Sequence, residues 1–180
     1  SESGMSRRDA LMALGALALS VRAGKALAQE TRKMKGIALQ LYTLRVPAKE
    51  DLAGTLKKVR EIGWEYVQWS GMPDLPAEQI RAVLDEAGLK AISAHIGIEG
   101  FETDFDNQVK FWKTVGVTNL APGGMMGDCK ENLEAWKKGA ARLDAVGAKL
   151  REQGLQLSYH NHDWELESFP DDPRSKLDIL

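Results

Sequence analysis

The chain has 180 residues, of which 43% are hydrophobic and 28% are charged, and its formal net charge at pH 7 is -2. These proportions are typical of a folded globular protein and exclude a disordered or fibrous chain. Because the charges are nearly balanced and form no run of one sign, the composition argues against a nucleic-acid partner and against a polybasic membrane patch.

The first thirty residues have the pattern of an export signal. Arg7 and Arg8 precede an apolar run over 10–21, which is shorter than the roughly twenty apolar residues of a membrane-spanning helix. A small-x-small sequence ending at Ala28 predicts cleavage at that point. The order of these features resembles a twin-arginine signal and predicts a periplasmic protein with no membrane contact after cleavage. The alternative is a buried N-terminal helix.

Four glycines punctuate the rest of the chain at similar positions in a repeated pattern. Gly63, Gly88, Gly116 and Gly154 each follow a stretch with helical periodicity and precede a stretch with strand character. Glycine is favoured where a helix ends in a left-handed residue, since other residues meet a steric penalty there. The pattern therefore predicts successive helix–strand units of similar length.

The hydrophobic periodicity places the elements within these units. Apolar stripes predict helices over 52–59, 80–87, 105–112 and 133–150. Short apolar runs predict strands over 37–42, 65–69, 90–95, 117–121 and 155–160. The last residues, 173–180, are predicted to begin another helix.

Alternating strands and helices predict a parallel α/β fold, because each crossover returns the chain in the same direction. A doubly wound sheet is less favoured than a TIM barrel, since no Gly-x-Gly-x-x-Gly sequence follows the first strand. A complete barrel has eight units, and this chain contains about five. We expect either a fragment of a longer protein or completion by a second copy. The predicted organisation is a signal peptide, a linker and a partial barrel, over 1–28, 29–36 and 37–180.

All three histidines of the sequence lie at predicted strand ends. His95 follows the third strand, and His160 and His162 follow the fifth. In parallel α/β folds, functional side chains gather where strands end. Imidazole can ligate a divalent metal, donate to a sugar oxygen or transfer a proton near neutral pH. The alternatives are a structural role for His95 and a surface position for the other two.

Three further residues are candidates at the same edge. Gln40 ends the first strand and Trp69 ends the second, where an indole could stack on a sugar ring. Glu165 could add a carboxylate ligand or base if its loop folds back towards the strands. For Trp69, packing in the core or at the rim is the competing interpretation.

The segment 157–165, which reads Leu-Ser-Tyr-His-Asn-His-Asp-Trp-Glu, resembles the sugar phosphate isomerase/epimerase family of xylose-isomerase-like TIM barrels. The segments 37–45 and 93–96 resemble the same family more weakly. The resemblance covers the chain from about residue 37 to its last residue, as the N-terminal portion of such a barrel.

This resemblance implies a divalent metal (Mn, Mg, Zn or Co) and two acidic groups that move a proton between sugar carbons. It implies His162 as a metal ligand, Glu165 as the catalytic carboxylate, and His160 and His95 as substrate contacts. The sequence departs from the commonest family pattern at the second strand, where Gln68 and Trp69 stand near the position of an expected glutamate. The family's ligands from strands six to eight are absent.

The resulting expectation is an isomerase or epimerase acting on a sugar or sugar derivative by metal-assisted proton transfer, present as a truncated N-terminal part. Its partner would be a small-molecule carbohydrate, and a homo-oligomer is possible. The alternative is a non-catalytic periplasmic carbohydrate-binding protein on the same scaffold. A third possibility is hydrolase or lyase chemistry on that scaffold.

Overall fold

The computed structural model describes residues 37–180, so the predicted twin-arginine signal (1–28) and linker (29–36) lie outside the described residues. The helices are α1 (Arg45–Glu50), α2 (Leu52–Ile62), α3 (Ala77–Ala87), α4 (Ile98–Thr103), α5 (Phe105–Val115) and α6 (Leu133–Glu152). The strands are β1 (Ala38–Gln40), β2 (Tyr66–Trp69), β3 (Lys90–Ile96), β4 (Asn119–Pro122), β5 (Gln156–Leu157), β6 (Ser168–Phe169) and β7 (Asp172–Ser175). Short 3-10 turns occupy Leu41–Leu44, Gly127–Cys129 and Trp164–Leu166.

The first five strands form one parallel sheet in the order β1-β2-β3-β4-β5. The ladder continues past β5, because the Ser158 amide donates to the Leu120 carbonyl and the His160 amide donates to the Pro122 carbonyl. Helices follow each of the first four strands, which confirms the predicted parallel arrangement of strand–helix units.

One irregularity alters the register between β2 and β3. Val67 pairs with Ala91, but the next residue, Gln68, pairs with Ser93, so Ile92 is passed over as a β-bulge. A bulge changes which side chains share a face beyond it. Here it aligns Gln68 with Ser93 on the same face of the sheet.

The core lies between the sheet and the helices. Fully buried side chains include Leu56 of α2, Leu84 of α3 and Trp136 of α6, which belong to the same apolar cluster as Val67 of β2 and Leu120 of β4. Each such side chain stabilises the fold by about 1.5–3 kcal/mol through removal of apolar surface from water. Within the described part of the chain, no helix combines the length and apolarity needed to span a bilayer.

The helix predicted from residue 173 onward is wrong. Residues Asp172–Ser175 form β7, which pairs antiparallel with β6. Pro173 lacks an amide hydrogen and suits such an edge strand. The segment is fastened to α6 because the Trp136 indole nitrogen donates to the Lys176 carbonyl over 2.8 Å. This tertiary bond is not encoded in the local sequence pattern.

The four predicted helix-ending glycines all have positive φ, as expected, and Gly63 provides a clean test of their role. Gly63 has φ of 116°, and a Cβ built there would meet nothing within 4 Å. We expect Gly63→Ala to lower the free energy of unfolding by about 1–2 kcal/mol, since strain in the left-handed region is the cost.

Gly127→Ala is the matched control, because a Cβ there also meets nothing within 4 Å and its φ is not in the left-handed region. Urea unfolding of both variants measures the difference. Equal stability of the two variants would contradict the conformational explanation.

Candidate functional site

The three histidines lie side by side at the carboxyl edge of the sheet. The ring centroids of His95 and His160 are 4.6 Å apart, and those of His160 and His162 are 4.9 Å apart. We call these three residues the histidine row. The sequence predicted that they would converge, and the parallel register of β3, β4 and the extension of β5 brings them together.

A layer of hydrogen-bonded polar side chains lies two residues before the histidines on the strands. Gln40 Nε2 donates to Gln68 Oε1 over 3.1 Å, and Gln68 Nε2 donates to Ser93 Oγ over 3.0 Å. On the next two strands, Ser158 Oγ donates to Asn119 Oδ1 over 2.8 Å. We call these five residues the polar belt. TIM-barrel interiors are more often filled by bulky branched apolar residues.

The polar belt contacts the histidine row at one point. Gln40 Nε2 lies 3.5 Å from His95 Nε2. On the other side of the ring, a Cβ placed at Gly123 would lie 3.5 Å from His95 Nδ1, so the loop after β4 passes next to this nitrogen without a side chain. Gly124 stands in the same relation to the His162 ring, at 3.8 Å.

The surroundings of His95 favour its neutral form. Burial lowers the pKa of His95, and the nearby His160 and His162 lower that pKa further because a second positive charge would be repelled. A neutral imidazole has one donor and one acceptor nitrogen. A neutral His95 is therefore suited to donate one hydrogen bond from one ring nitrogen and accept one at the other.

Glu165 lies beneath the histidine row and is fully buried. Tyr159 Oη donates to Glu165 Oε1 over 2.9 Å, and the His162 amide donates to Oε2 over 2.6 Å. The His162 Nδ1 atom is 3.7 Å from Oε1. Buried carboxylates need such donors, because an uncompensated charge away from water is costly. The loop that carries Glu165 therefore folds back towards the end of the fifth strand.

Burial and the hydrogen bond to Glu165 raise the pKa of Tyr159. The phenol therefore keeps its proton at neutral pH and remains a donor to the carboxylate.

Aromatic packing fixes the turn that carries Glu165. The Trp164 ring stacks on His162 with an interplanar angle of 17°, and it meets the edge of Trp136 at a centroid distance of 5.7 Å. Lys130 and Lys176 lie over the same indole ring, at 5.0 and 5.7 Å from its centroid. Cations placed over an indole face are attracted to it.

Of the six predicted site residues, five are brought into one neighbourhood by the structure, whereas Trp69 is buried in the core, although it lines one cavity together with His95. Trp69 is only 5% exposed and packs in the core between sheet and helices. Successive side chains of a strand point to opposite faces, so Gln68 and Trp69 cannot both face the histidine row. The alternation Val67, Gln68, Trp69 carries this signal in the sequence.

The described residues do not by themselves form a metal centre. Within 37–180, no group of three or more His, Cys, Asp or Glu side chains is arranged to hold a metal ion. Both oxygens of Glu165 already accept hydrogen bonds from within the chain. The expected divalent metal, with His162 as a ligand, therefore does not fit these residues alone.

The depressed pKa of His95 predicts a pH-dependent stability. As the pH falls below about 6.5, the unfolded chain takes up a proton before the folded chain does. The stabilisation is complete above that pH and is lost as the pH falls to the lowered folded-state pKa. Urea unfolding between about pH 7 and pH 5 should therefore show a decline that His95→Gln reduces. An identical decline in both proteins would contradict the assignment.

Removing the tyrosine hydroxyl should leave the buried carboxylate short of a donor. We expect Tyr159→Phe to lower the free energy of unfolding by about 1–3 kcal/mol. Tyr66→Phe is the matched control, since no hydrogen bond of the Tyr66 hydroxyl occurs among the described residues. Urea unfolding measures both variants, and a Tyr159→Phe value as small as the control would count against the hydrogen bond.

Comparisons with known proteins bear on the fold. No protein-family model and no curated protein matches the sequence. Two solved structures of sugar phosphate isomerase/epimerases from Parabacteroides distasonis match, at 19% and 18% identity with TM-scores of 0.61 and 0.64. Each match covers 79% of this chain, and it covers 59% and 63% of the respective relative.

A xylose isomerase-like TIM barrel protein from Mycobacterium smegmatis, solved in complex with magnesium, matches at 19% identity with a TM-score of 0.52. That match covers 73% of this chain and 56% of the other. The chain thus spans about three fifths of the length of these structures. Its described part has the xylose isomerase-like TIM-barrel fold, with five of the parallel strands present.

Proposed function

We propose that this chain carries the first five strands of a sugar isomerase or epimerase site, which acts on a sugar or sugar derivative by proton transfer. The observation that carries the proposal is the histidine row above the polar belt, at the carboxyl edge of a fold shared with sugar phosphate isomerase/epimerases. The carboxyl edge is where TIM-barrel enzymes place their active sites.

Sugar recognition would use groups that match hydroxyls. Gln40, His95 and His160 offer amide and imidazole groups, which hydrogen-bond to sugar hydroxyls. The substrate-binding roles of these three residues are part of the proposal. Trp69 would act only through packing behind the site, because it is buried.

Glu165 would be the group that moves the proton. Its carboxylate would take a proton from the carbon next to the sugar carbonyl, and the bonding electrons would form an enediolate with charge on oxygen. Return of that proton to the neighbouring carbon gives an isomer, whereas an epimer requires a second acid that delivers a different proton to the opposite face of the original carbon. Tyr159 would stabilise the carboxylate in its resting state, since its hydroxyl already donates to Oε1.

A divalent metal could take part in this proposed reaction only if further ligands were added to those of residues 37–180, which do not form a metal site by themselves. The magnesium reported for the Mycobacterium smegmatis protein belongs to that protein. When bound, such an ion would polarise the sugar oxygens. The steps assigned above to Gln40, His95 and Glu165 do not depend on it.

One observation favours a second candidate, a periplasmic carbohydrate-binding protein without turnover. Glu165 is fully buried and both of its oxygens accept hydrogen bonds, so in this conformation it reaches no ligand. The two candidates differ in one measurable respect. Only the enzyme exchanges a carbon-bound hydrogen of the sugar with solvent.

The cellular context belongs to the proposal too. The twin-arginine pattern supports export to the periplasm, and a free sugar there need not carry phosphate. We propose a carbohydrate as the only partner, without nucleic acid and without membrane contact after cleavage, and with the possibility of a homo-oligomer.

The test is deuterium exchange into unphosphorylated aldoses and ketoses, followed by proton NMR in heavy water with the 180-residue chain. Exchange is expected for the natural protein. It is measured under three conditions: without added metal, with added Mg²⁺, and with a chelator. Glu165→Gln should lower the exchange rate by about 10²–10⁴-fold while sugar binding persists. Glu167→Gln is the matched control, because that carboxylate is exposed and its one ion pair among residues 37–180 is with Lys176.

The outcomes of this experiment distinguish the enzyme from the carbohydrate-binding protein. Binding without exchange in the natural protein would establish the carbohydrate-binding candidate in place of the enzyme. Absence of both would overturn the proposed function. Exchange unaffected by the chelator would remove the metal from it.

A further inference from the structure

The polar belt has one direction in the structure, which the placement of its two amide groups defines. Ser93 Oγ accepts from Gln68 Nε2, so the amide of Gln68 has its nitrogen on the Ser93 side and its oxygen on the Gln40 side. That oxygen can only accept, and the group facing it is Gln40 Nε2 at 3.1 Å. The orientation of one amide therefore fixes the orientation of the next.

Gln40 Nε2 carries two N–H groups and has two polar neighbours. One N–H is directed to Gln68 Oε1, and the second is available to His95 Nε2 at 3.5 Å. This second contact is long for a hydrogen bond, but it is selective. An amide nitrogen has no accepting capacity, so a protonated His95 Nε2 would place two N–H groups against each other.

We propose that Gln68 and Ser93 are positioning residues, which act through Gln40 to hold His95 in the tautomer with its proton on Nδ1. Gln68 and Ser93 need not touch a ligand for this role. They fix the amide of Gln40, and Gln40 selects which ring nitrogen carries the proton.

The surroundings of the ring are consistent with a single neutral tautomer. Burial and the two neighbouring histidines lower the pKa of His95, which disfavours the doubly protonated ring. In a neutral imidazole, an accepting Nε2 requires a proton on Nδ1.

A proton on His95 Nδ1 selects the kind of ligand atom that this ring can bind. Nδ1 lies beside Gly123, where an added Cβ would already be in van der Waals contact at 3.5 Å, so glycine keeps a side chain off this N–H. Such a donor takes an oxygen acceptor, a sugar carbonyl or hydroxyl oxygen. This assignment of the ligand rests on the proposed function, whereas the tautomer does not.

The experiment is ¹⁵N NMR of the imidazole nitrogens in the full chain, without sugar. The sequence has only three histidines, so His→Gln variants at each position assign every resonance. For His95 we expect a pyrrole-type Nδ1 and a pyridine-type Nε2. A protonated Nε2 or an averaged pair of resonances in the natural protein would overturn the proposal.

Gln40→Glu is the decisive variant because it keeps the shape and removes the N–H donors. The carboxylate can only accept, so His95 Nε2 should gain a proton and its resonance should become pyrrole-type. Gln79→Glu adds the same charge on the exposed face of α3 and should leave all three histidines unchanged. No change at His95 Nε2 in Gln40→Glu would overturn the role of Gln40.

Gln68→Leu and Ser93→Ala test the positioning residues themselves. Freed from Gln68, the Gln40 amide can turn over, and the His95 resonances should move towards the averaged values of a tautomer mixture. Retention of the His95–His160 ring contact, measured by a nuclear Overhauser effect, shows that the ring has not moved. A fixed natural tautomer in Gln68→Leu would overturn the relay. Since none of these measurements involves sugar, their outcome is separate from that of the exchange assay.

Discussion

The structure depends on the register of its parallel strands. Because β1 to β4 pair so that Gln40, Gln68, Ser93 and Asn119 stand opposite one another, side chains that are distant in sequence form one transverse layer. The next layer towards the carboxyl edge then contains the histidines. A shift of one residue in any strand would turn its side chains to the other face. The hydrogen-bonded register of the strands therefore determines which side chains meet at the site.

Burial of Glu165 connects this ladder to the C-terminal segment. A carboxylate that is fully removed from water must be compensated, and its donors come from the end of the fifth strand, through Tyr159 and the His162 amide. The turn that carries it packs against α6 through Trp164 and Trp136. Stability and candidate chemistry thus share the same residues, as is common where functional sites depart from ordinary packing.

Much of this arrangement follows from the sequence, because its signals are local. The glycines mark helix ends and the apolar stripes mark helix faces, so the order of elements was predictable. The convergence of the histidines followed from their positions at strand ends. The bulge at Ile92 was not predictable, since nothing in the periodicity separates it from a regular strand. The C-terminal hairpin was mistaken for a helix because its bond to Trp136 spans 40 residues.

The fastening of the C-terminal segment has a consequence for the mobility of Glu165. The Glu165 carbonyl accepts from the Leu177 amide, and the Glu167 carbonyl accepts from the Lys176 amide, both over 2.9 Å. The main chain on both sides of the carboxylate is thus tied down, so the acid can reach a ligand by rotation about its own side-chain bonds. Exposed side chains rotate in picoseconds to nanoseconds, but the fully buried Glu165 must first break its hydrogen bonds and displace the side chains packed around it. The barrier to freeing the acid then lies in its two hydrogen bonds and in the side chains that enclose it, while the main chain on both sides stays tied down.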